Sequence, residues 1–291
     1  MRTRQHHGDA VPPRKEPYVR CGTPDEFRED VMRRLRFIPV LLLDGTSAIK
    51  THRFAPARYI GDIVNAAQIF NSKMADELIV IDVGVHKKGA SQPHVIRHLA
   101  EECFMPLAFG GGINSVAQAA ALFKHGIEKI SINTAFVEGG TLIEEAAKQF
   151  GSQSLVASID AKREADGRYQ VYSRGGTRAL GVSPVEMARR AADQGAGEIV
   201  IQSIDRDGMR VGYDREMVRS VVEATTLPVV ALGGADTVAD LARIIIEDGA
   251  SAAAAGSMFS FYGRLQAVLI NYPRADEREQ AVAKACELAT A

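Results

Sequence analysis

Acidic residues directly follow several apolar, β-branched runs of this 291-residue sequence. A carboxylate at the C-terminal end of a buried parallel strand is well placed to act as a general acid or base. The same carboxylate could instead cap the next helix or pair with a neighbouring cation. One of them directly follows the middle strand, within Ser158-Ile-Asp-Ala-Lys162, and we rank it first as the candidate catalytic residue. The four acidic residues are Asp82, Asp160, Asp205 and Asp207, and the candidate is Asp160.

Two pairs of short loops, one pair in each half of the chain, have residue types that bind anions. Gly110-Gly111-Gly112 precedes Ser115, and Gly233-Gly234 precedes Asp236-Thr237. Glycine exposes backbone amides, and a following helix N-terminus favours negative charge, so such loops suit phosphate. Any one of these loops is more simply a tight turn. Because Asn133-Thr134 and Gly256-Ser257 end the next strand in each half, the set predicts two phosphate sites.

The elements that must position these residues alternate regularly from Arg36 onward, which predicts an α/β fold of the TIM (βα)8 barrel type. The apolar runs that predict strands are Phe37–Leu43, Leu78–Val83, Met105–Phe109, Lys129–Ile132, Ser154–Asp160, Ile199–Ser203, Leu227–Leu232 and Ala252–Gly256. The segments that predict helices are Tyr59–Asn71, Gln92–Glu102, Ser115–His125, Thr141–Phe150, Ser183–Gln194, Asp214–Ala224, Thr237–Glu247 and Met258–Ile270. A doubly wound open sheet is the alternative, but no dinucleotide fingerprint follows the first strand.

The chain repeats itself at a period that fits half a barrel. Gly110-Gly111 recurs as Gly233-Gly234, and Asn133-Thr134 recurs as Gly256-Ser257, each 123 residues later. This period is too long for a solenoid repeat. We therefore predict two halves of four βα units.

Four predicted strands have a charged residue at, or directly before, their first position, and the two signs balance. Charges at the N-terminal face of a barrel are usually solvated or form stabilising pairs. Because buried ion pairs add little net stability, we consider a sharper hypothesis, that these residues form a neutral ring across the barrel floor which acts as a plug. The four residues are Arg36, Glu77, Lys129 and Glu198.

Composition narrows the class of protein. The formal net charge is −1, so the sequence lacks the strong positive charge typical of proteins that bind nucleic acids or membrane surfaces. No apolar run is long enough to span a membrane. The three scattered cysteines, Cys21, Cys103 and Cys286, favour reduced thiols and a cytosolic setting. His94 and His98 are four residues apart without a third ligand nearby, so we predict no metal site. No cofactor is predicted.

Segments at the two ends differ from the barrel. Residues 1–35 are rich in Arg, Pro and His and have no apolar block, which predicts a mostly disordered arm. The barrel is expected over 36–273, and residues 274–291 predict an additional C-terminal surface helix.

Several motifs together resemble the cyclase subunit family of imidazole glycerol phosphate synthase, from Arg36 to about Tyr272. These motifs are Ala75-Asp-Glu-Leu, Phe109-Gly-Gly-Gly-Ile, Lys129-Ile-Ser-Ile-Asn-Thr-Ala, Gly151-Ser-Gln-Ser, Ser158-Ile-Asp-Ala-Lys, Gly195-Ala-Gly-Glu, Ser203-Ile-Asp-Arg-Asp-Gly and Leu232-Gly-Gly-Ala. The resemblance implies a half-barrel-repeated barrel that takes ammonia from a separate glutaminase docked at its floor. The ammonia then passes through the barrel to a phosphorylated substrate at the top.

The resemblance also assigns residues. The family's floor gate falls on Arg36, Glu77, Lys129 and Glu198. The substrate phosphate-binding residues fall on Gly111, Asn133, Thr134, Asp207, Gly208, Gly234, Gly256 and Ser257. A dry interior carries neutral ammonia and resists ammonium, since burying an unpaired charge is costly. Cys103 lies outside any Gly-x-Cys-x-Gly turn, so the glutaminase is expected on a partner chain.

One departure from the family bears on its chemistry. The family's cyclase uses two aspartates, of which the second falls on Asp160 and the first on Leu42. Loss of one member of an acid–base pair typically removes ~10²–10⁴ in rate. Asp44 is on the same strand face as Leu42 but lies ~6.6 Å further along, in the loop, which makes it a poor substitute.

Two segments resemble a paralogous branch of the family, namely Pro39-Val-Leu-Leu-Leu43 and the ending from Tyr262 to Pro273. That branch accompanies a glutaminase and an ATP-using amidotransferase in making acetamidino sugars of bacterial surface polysaccharides. The first hypothesis is therefore an ammonia-conducting barrel subunit. The alternatives are an authentic cyclase of histidine synthesis and a non-catalytic phosphosugar-binding scaffold.

Overall fold

Eight parallel strands close into a barrel in the computed structural model, which describes residues 35–85 and 91–290. Each barrel strand pairs with two neighbours, and the last pairs with the first. The strands are β1 (Phe37–Asp44), β2 (Ser47–Lys50), β3 (Arg58–Asp62), β4 (Leu78–Asp82), β5 (Leu107–Gly110), β6 (Lys129–Ile132), β7 (Leu155–Arg163), β8 (Tyr169–Ser173), β9 (Arg178–Ala179), β10 (Glu198–Ser203), β11 (Val229–Leu232), β12 (Ala252–Ala255), β13 (Phe261–Tyr262) and β14 (Ala267–Val268). The barrel order is β1-β4-β5-β6-β7-β10-β11-β12, so the predicted TIM barrel is confirmed.

Helices cover the outside of the barrel. They are α1 (Ile63–Ser72), α2 (Pro93–Glu102), α3 (Val116–Lys124), α4 (Thr134–Val137), α5 (Leu142–Phe150), α6 (Pro184–Asp193), α7 (Arg215–Ala224), α8 (Val238–Ile246), α9 (Ser257–Ser260) and α10 (Ala275–Thr290). Side-chain caps define several starts: Asp62 caps α1, and reciprocal capping boxes begin α6 at Ser183 and α8 at Thr237. Such caps satisfy backbone amides that lack intrahelical partners.

Alternation along the strands separates two apolar layers. On β1, Phe37, Leu41 and Leu43 pack outward against the helices. Ile38 and Val40 point inward and join a separate interior cluster. A strand directs successive side chains to opposite faces. This alternation determines which residues of each strand point into the barrel interior.

The half-barrel repeat is visible in a pair of single-turn helices. Helices α4 and α9 follow β6 and β12 at equivalent places, and each buries a phenylalanine, Phe136 and Phe259. Thr134 is the first residue of α4 and Ser257 is the first residue of α9. The predicted repeat therefore extends from sequence to local structure.

Two predicted helices differ from the structure. The segment Met258–Ile270, expected to be helical, forms only α9 and then a hairpin, in which Phe261 pairs with Val268 and Tyr262 with Ala267. The helix expected over Tyr59–Asn71 begins only at Ile63, because residues 58–62 pair with β2 as β3. Both errors arise where an antiparallel hairpin competes with a helical pattern, and short apolar segments do not distinguish the two by periodicity.

The C-terminal helix forms as predicted, over Ala275–Thr290. It begins beside the N-terminal end of the barrel, where Arg278 pairs with Asp76 at 2.9 Å. Val282 and Ala285 are buried, and the helix packs along α8. The predicted arm, apart from Leu35, lies outside the described residues. Among helices of the described ranges, none combines the length and apolar character needed to cross a bilayer.

Candidate functional site

A cavity of about 770 Å³ lies at the C-terminal ends of the barrel strands. This is the end at which TIM barrels carry their active sites. The structure brings all the predicted substrate-site residues together here. The predicted residues that line the cavity are Gly111, Asn133, Thr134, Asp160, Asp207, Gly208, Gly234, Gly256 and Ser257.

Close backbone packing requires the two glycines that follow β5 and β11. Gly111 has φ +119°, and a Cβ there would lie 2.3 Å from the carbonyl oxygen of Asp82. Gly234 has φ +106°, and its Cβ would lie 2.2 Å from the carbonyl oxygen of Gly212. Side chains at these positions would collide with backbone, and positive φ is costly for residues other than glycine. The glycines thus shape the rim whether or not phosphate binds.

Asp160 extends from β7 into the cavity and is buried. The Asn133 side-chain amide donates a hydrogen bond to its carboxylate at 3.2 Å. Burial, with a smaller contribution from the charge of Asp207, raises the pKa of Asp160 to about 7. A carboxyl group with a pKa near neutrality can both accept and donate a proton at physiological pH.

The other acidic candidates have different surroundings. Asp207 accepts hydrogen bonds from the Thr51 hydroxyl at 2.8 Å and from the Phe54 amide at 3.3 Å, and so holds residues 51–54 beside the cavity. Asp82 also lines the cavity, but its carboxylate accepts the Val85 amide at 3.1 Å and caps a turn. Asp205 accepts the Arg163 amide at 2.9 Å and is not part of the lining.

Sequence reasoning missed two cations of the cavity. Lys50 is buried, donates a hydrogen bond to the Val40 carbonyl, and lies beside Gly256. Burial lowers its pKa to about 8, although the charge of Asp207 opposes the shift. Arg210 also lines the cavity and pairs with Asp236 at 2.5 Å. Lys50 matches the family in sequence, but no site role was predicted for it, and the strand β2 that it ends was not predicted either.

Leu42 faces the same cavity. It pairs in register with Ile81 on β4 and with Ile49 on β2, and all three residues line the cavity. The upper end of β1 is therefore apolar where the family resemblance places an aspartate. Asp44 also lines the cavity, with its carboxylate packed against the backbone of Gly84.

The pH dependence of stability tests the protonation of Asp160. The folded chain holds this proton up to about pH 7, but the unfolded chain loses it near pH 3.8. Because the folded state then binds more protons, the free energy of unfolding falls as pH rises through this window, by about 1.4 kcal/mol per pKa unit. Asp160→Asn removes the charge and should raise the melting temperature at pH 8 but not at pH 3.5, as measured by calorimetry. An equal effect at both pH values would mean that burial does not raise the pKa of this carboxyl.

At the opposite end of the barrel, four charged side chains form a closed ring. Arg36 pairs with Glu77 at 3.0 Å and with Glu198 at 2.6 Å. Lys129 pairs with Glu77 at 2.9 Å and with Glu198 at 3.1 Å. Each carboxylate thus bridges the two cations, and each cation bridges the two carboxylates. The predicted gathering of these residues at one floor is what the structure contains.

The ring is stabilised electrostatically although it is largely removed from water. Burial alone would lower the pKa values of Arg36 and Lys129, but the charges of Glu198 and Glu77 outweigh it and raise both. Beside the ring, the carboxylate of Asp76 accepts the Phe37 amide at 2.9 Å and joins the strand starts that carry Arg36 and Glu77.

The barrel interior between the ring and the cavity is apolar. Its side chains form a cluster that is separate from the core under the helices and includes three alanines. The residues are Ile38, Val40, Ile79, Ala108, Val156, Val200, Val230, Leu232, Ala252 and Ala254, with Ile81 packed against them. Such a lining disfavours a desolvated ion far more than a small neutral molecule.

Within residues 35–85 and 91–290, no three His, Cys, Asp or Glu side chains group as ligands for a metal ion.

Comparison with known proteins places this arrangement in a family. The histidine biosynthesis protein family matches residues 36–266. A Pseudomonas aeruginosa protein provisionally named imidazole glycerol phosphate synthase subunit hisF2 is 43% identical over 243 residues, covering 83% of this chain and 97% of its own. A similarly provisional HisF subunit of Leptospira interrogans is 41% identical over 250 residues, covering 85% and 98%. The imidazole glycerol phosphate synthase subunit HisF of Alkaliphilus metalliredigens is 41% identical over 227 residues, covering 78% and 90%. The chain therefore belongs to the histidine biosynthesis protein family, as a HisF-like barrel of the imidazole glycerol phosphate synthase type.

Proposed function

We propose that this chain is the barrel subunit of a glutamine-dependent amidation system. It receives ammonia from a separate glutaminase at its floor and conducts it through the barrel. The ammonia is released at the upper cavity for the amidation of an acetamido sugar to an acetamidino sugar in bacterial surface-polysaccharide synthesis, through an ATP-dependent amidotransferase. The observation that carries the proposal is the apolar interior that joins the closed ring of Arg36, Glu77, Lys129 and Glu198 to a cavity lined by Leu42, at the position where the family resemblance implies an acid.

The chemistry of ammonia supports a dry passage. Near neutral pH most ammonia in water is protonated, and ammonium is not a nucleophile. An apolar interior admits the neutral form, and the ring excludes solvent at its entrance without adding net charge. The raised pKa values of Arg36 and Lys129 keep both cations charged near neutral pH, so titration of these two groups does not open the ring.

The ammonia source belongs on another chain. Cys103 is the cysteine considered above as a possible glutaminase nucleophile. Burial, aided by the charge of Glu102, raises the pKa of its thiol to about 12. A thiol with this pKa stays protonated at neutral pH, and the nucleophile in glutamine hydrolysis has to be a thiolate. This supports a separate glutaminase partner.

An apolar patch at the barrel floor suits that partner. Met74 and Phe104 are 81% and 88% exposed. They flank Asn71, which accepts the Phe104 amide at 3.0 Å and whose carbonyl accepts the Met74 amide at 2.9 Å. Met74 has φ +53°, a conformation that costs a non-glycine residue energy and that therefore favours a functional explanation. Large exposed apolar side chains on the loops at the barrel floor, with Met74 three residues before Glu77, are what a protein docked over the ring would cover.

Phe104→Glu tests the docking. It should weaken binding of the glutaminase by at least about 10-fold, since a buried anchor is lost and a charge is placed in the interface. Titration calorimetry and stimulation of glutamine hydrolysis on mixing measure the effect. Leu288→Glu, which changes an exposed apolar residue of α10, is the control and should bind normally. Unchanged stimulation by the Phe104 variant would remove the floor patch from the proposal.

The second candidate is an authentic cyclase of histidine synthesis. One observation favours it: Asp160 is positioned in the cavity with its pKa raised to about 7, as a general acid–base requires. A purified chain that cyclises the aminoimidazole-carboxamide ribulosyl bisphosphate with ammonium salt would establish this function and reject the first.

A further inference from the structure

The hairpin of β13 and β14, here termed the C-terminal hairpin (Phe261–Val268), exposes an unusual amount of apolar surface. Leu265 at its tip is 92% exposed and Tyr262 is 67% exposed. Val268 and Leu269 are also exposed. Single exposed apolar residues are ordinary, but a cluster within eight consecutive residues marks an interaction surface.

Folding of this chain does not account for the cluster. Of the hairpin's large apolar side chains, Phe261 is the one that is buried, with the guanidinium of Arg58 4.8 Å from its ring centre. Positive φ at Gly263 and Gln266 turns the chain so that Leu265 projects from the tip. A projecting leucine gains burial from a segment or molecule outside residues 35–85 and 91–290.

The composition of the hairpin matches the energetic centre of protein interfaces. Tyrosine and arginine are enriched there, while Lys, Asp and Glu are depleted. The stretch from Ser257 to Asn271 contains Tyr262 and Arg264 but no Lys, Asp or Glu. Arg264 and Arg58 are both exposed, and neither forms an ion pair within residues 35–85 and 91–290.

The hairpin adjoins the upper cavity. Ser257 lines the cavity and begins the single turn α9, and β13 starts directly after that turn. One helical turn of four residues spans ~6 Å. A protein seated on the hairpin would therefore stand at the rim of the cavity, at the opposite end of the barrel from the floor patch of Met74 and Phe104.

We propose that the C-terminal hairpin is the docking surface for the protein that receives the ammonia. The proposal rests on the function proposed above. The partner's surface is an apolar pocket that takes Leu265 and Tyr262, bordered by carboxylates that pair with Arg264 and Arg58. The barrel thus carries two protein interfaces, one at each end of its interior.

The charge of the hairpin surface disfavours two other molecules or segments that could cover it, a second copy of this chain and the residues before Leu35. In a symmetric dimer through this surface, arginines would face arginines with no carboxylate of the patch to balance them. The 34 residues before Leu35 contain eight Lys or Arg and six Asp or Glu residues, so they too are basic overall. An external acidic partner remains the complementary one.

The experiment compares two variants on two partners. Leu265→Glu should weaken binding of the ATP-dependent amidotransferase by at least about 10-fold, measured by titration calorimetry with the full-length chain. It should leave stimulation of the glutaminase unchanged. Phe104→Glu should have the reverse pattern, and Leu265→Met should bind like the parent chain. Equal amidotransferase binding by the parent and Leu265→Glu would overturn the proposal.

Further outcomes distinguish the remaining occupants. A dimer of the parent chain in sedimentation velocity that Leu265→Glu dissociates would overturn the proposal in favour of self-association. If the parent chain co-sediments with anionic phosphatidylglycerol vesicles and Leu265→Glu does not, the proposal would be overturned in favour of membrane binding. If glutaminase stimulation is absent from every chain while the hairpin variant still loses amidotransferase binding, the floor hypothesis fails and the hairpin surface stands.

Discussion

Lys129→Ala will uncouple glutamine hydrolysis from product formation in the reconstituted system. The substitution removes both contacts of the ammonium group, at 2.9 Å to Glu77 and 3.1 Å to Glu198, and leaves two carboxylates with Arg36 alone. Water then reaches the floor, and ammonia escapes or is protonated there before it enters the barrel. The number of glutamines hydrolysed per product formed should rise several-fold. Parallel assays of glutamate and of amidated product measure this ratio.

Measuring the free energy of unfolding of the Lys129 variant distinguishes loss of the gate from general destabilisation of the fold. The side chain of Lys129 is partly exposed, so its loss should lower the free energy of unfolding by about 1–2 kcal/mol rather than by the larger cost of breaking a fully buried pair. The matched control is Lys148→Ala, which removes an exposed i,i+4 pair with Glu144 and should leave both coupling and stability unchanged. An unaltered ratio in a folded Lys129 variant would count against the ring as a gate.

Leu42→Asp should confer cyclase activity on a chain that otherwise lacks it. The new carboxylate would enter the cavity that Asp160 already lines, and it would complete the acid–base pair implied by the family resemblance. The expected gain in turnover of the bisphosphate with ammonium salt is ~10²–10⁴, the usual contribution of one general acid or base. Product absorbance in a continuous assay measures it.

Two control variants make this test specific for proton transfer. Leu42→Asn has nearly the same size and polarity as the aspartate but moves no proton, so it should show no gain. Adding Asp160→Asn to Leu42→Asp should abolish the gain, because the pair acts together. Substantial cyclisation by the unaltered chain would reject the ammonia-delivery function, since the acid at position 42 would then be dispensable.

Local pattern was sufficient for the barrel and for its floor. Side chains two positions apart on a strand share a face, so Glu198 lies on the interior face with Val200 in β10, and Lys129 lies on it with Ser131 in β6. Strand starts lie at one end of a parallel barrel. The meeting of Lys129 with Glu198 therefore followed from residue type and register, and the cavity location of Asp160 followed in the same way from the end of the predicted strand Ser154–Asp160.

Other features depended on contacts between segments distant in sequence. Met258–Ile270 has apolar spacing that also suits a helix, yet positive φ at Gly263 and Gln266 and pairing of Phe261 with Val268 make it a hairpin. Local spacing does not decide between the two structures for so short an apolar run. In the hairpin Phe261 packs under the guanidinium of Arg58, about two hundred residues earlier in the chain, a contact that the local pattern does not contain.

The sequence by itself determined the fold class, the face of each strand and the residues available at either end of the barrel, because these depend on period and order along the chain. Only the tertiary structure determined which residues surround each of these positions. In it, Lys50 is buried against Val40 near Asp207, α10 begins at the barrel floor, and Leu265 is exposed to solvent. Burial and charge environment are properties of segments brought together, so no local pattern contains them.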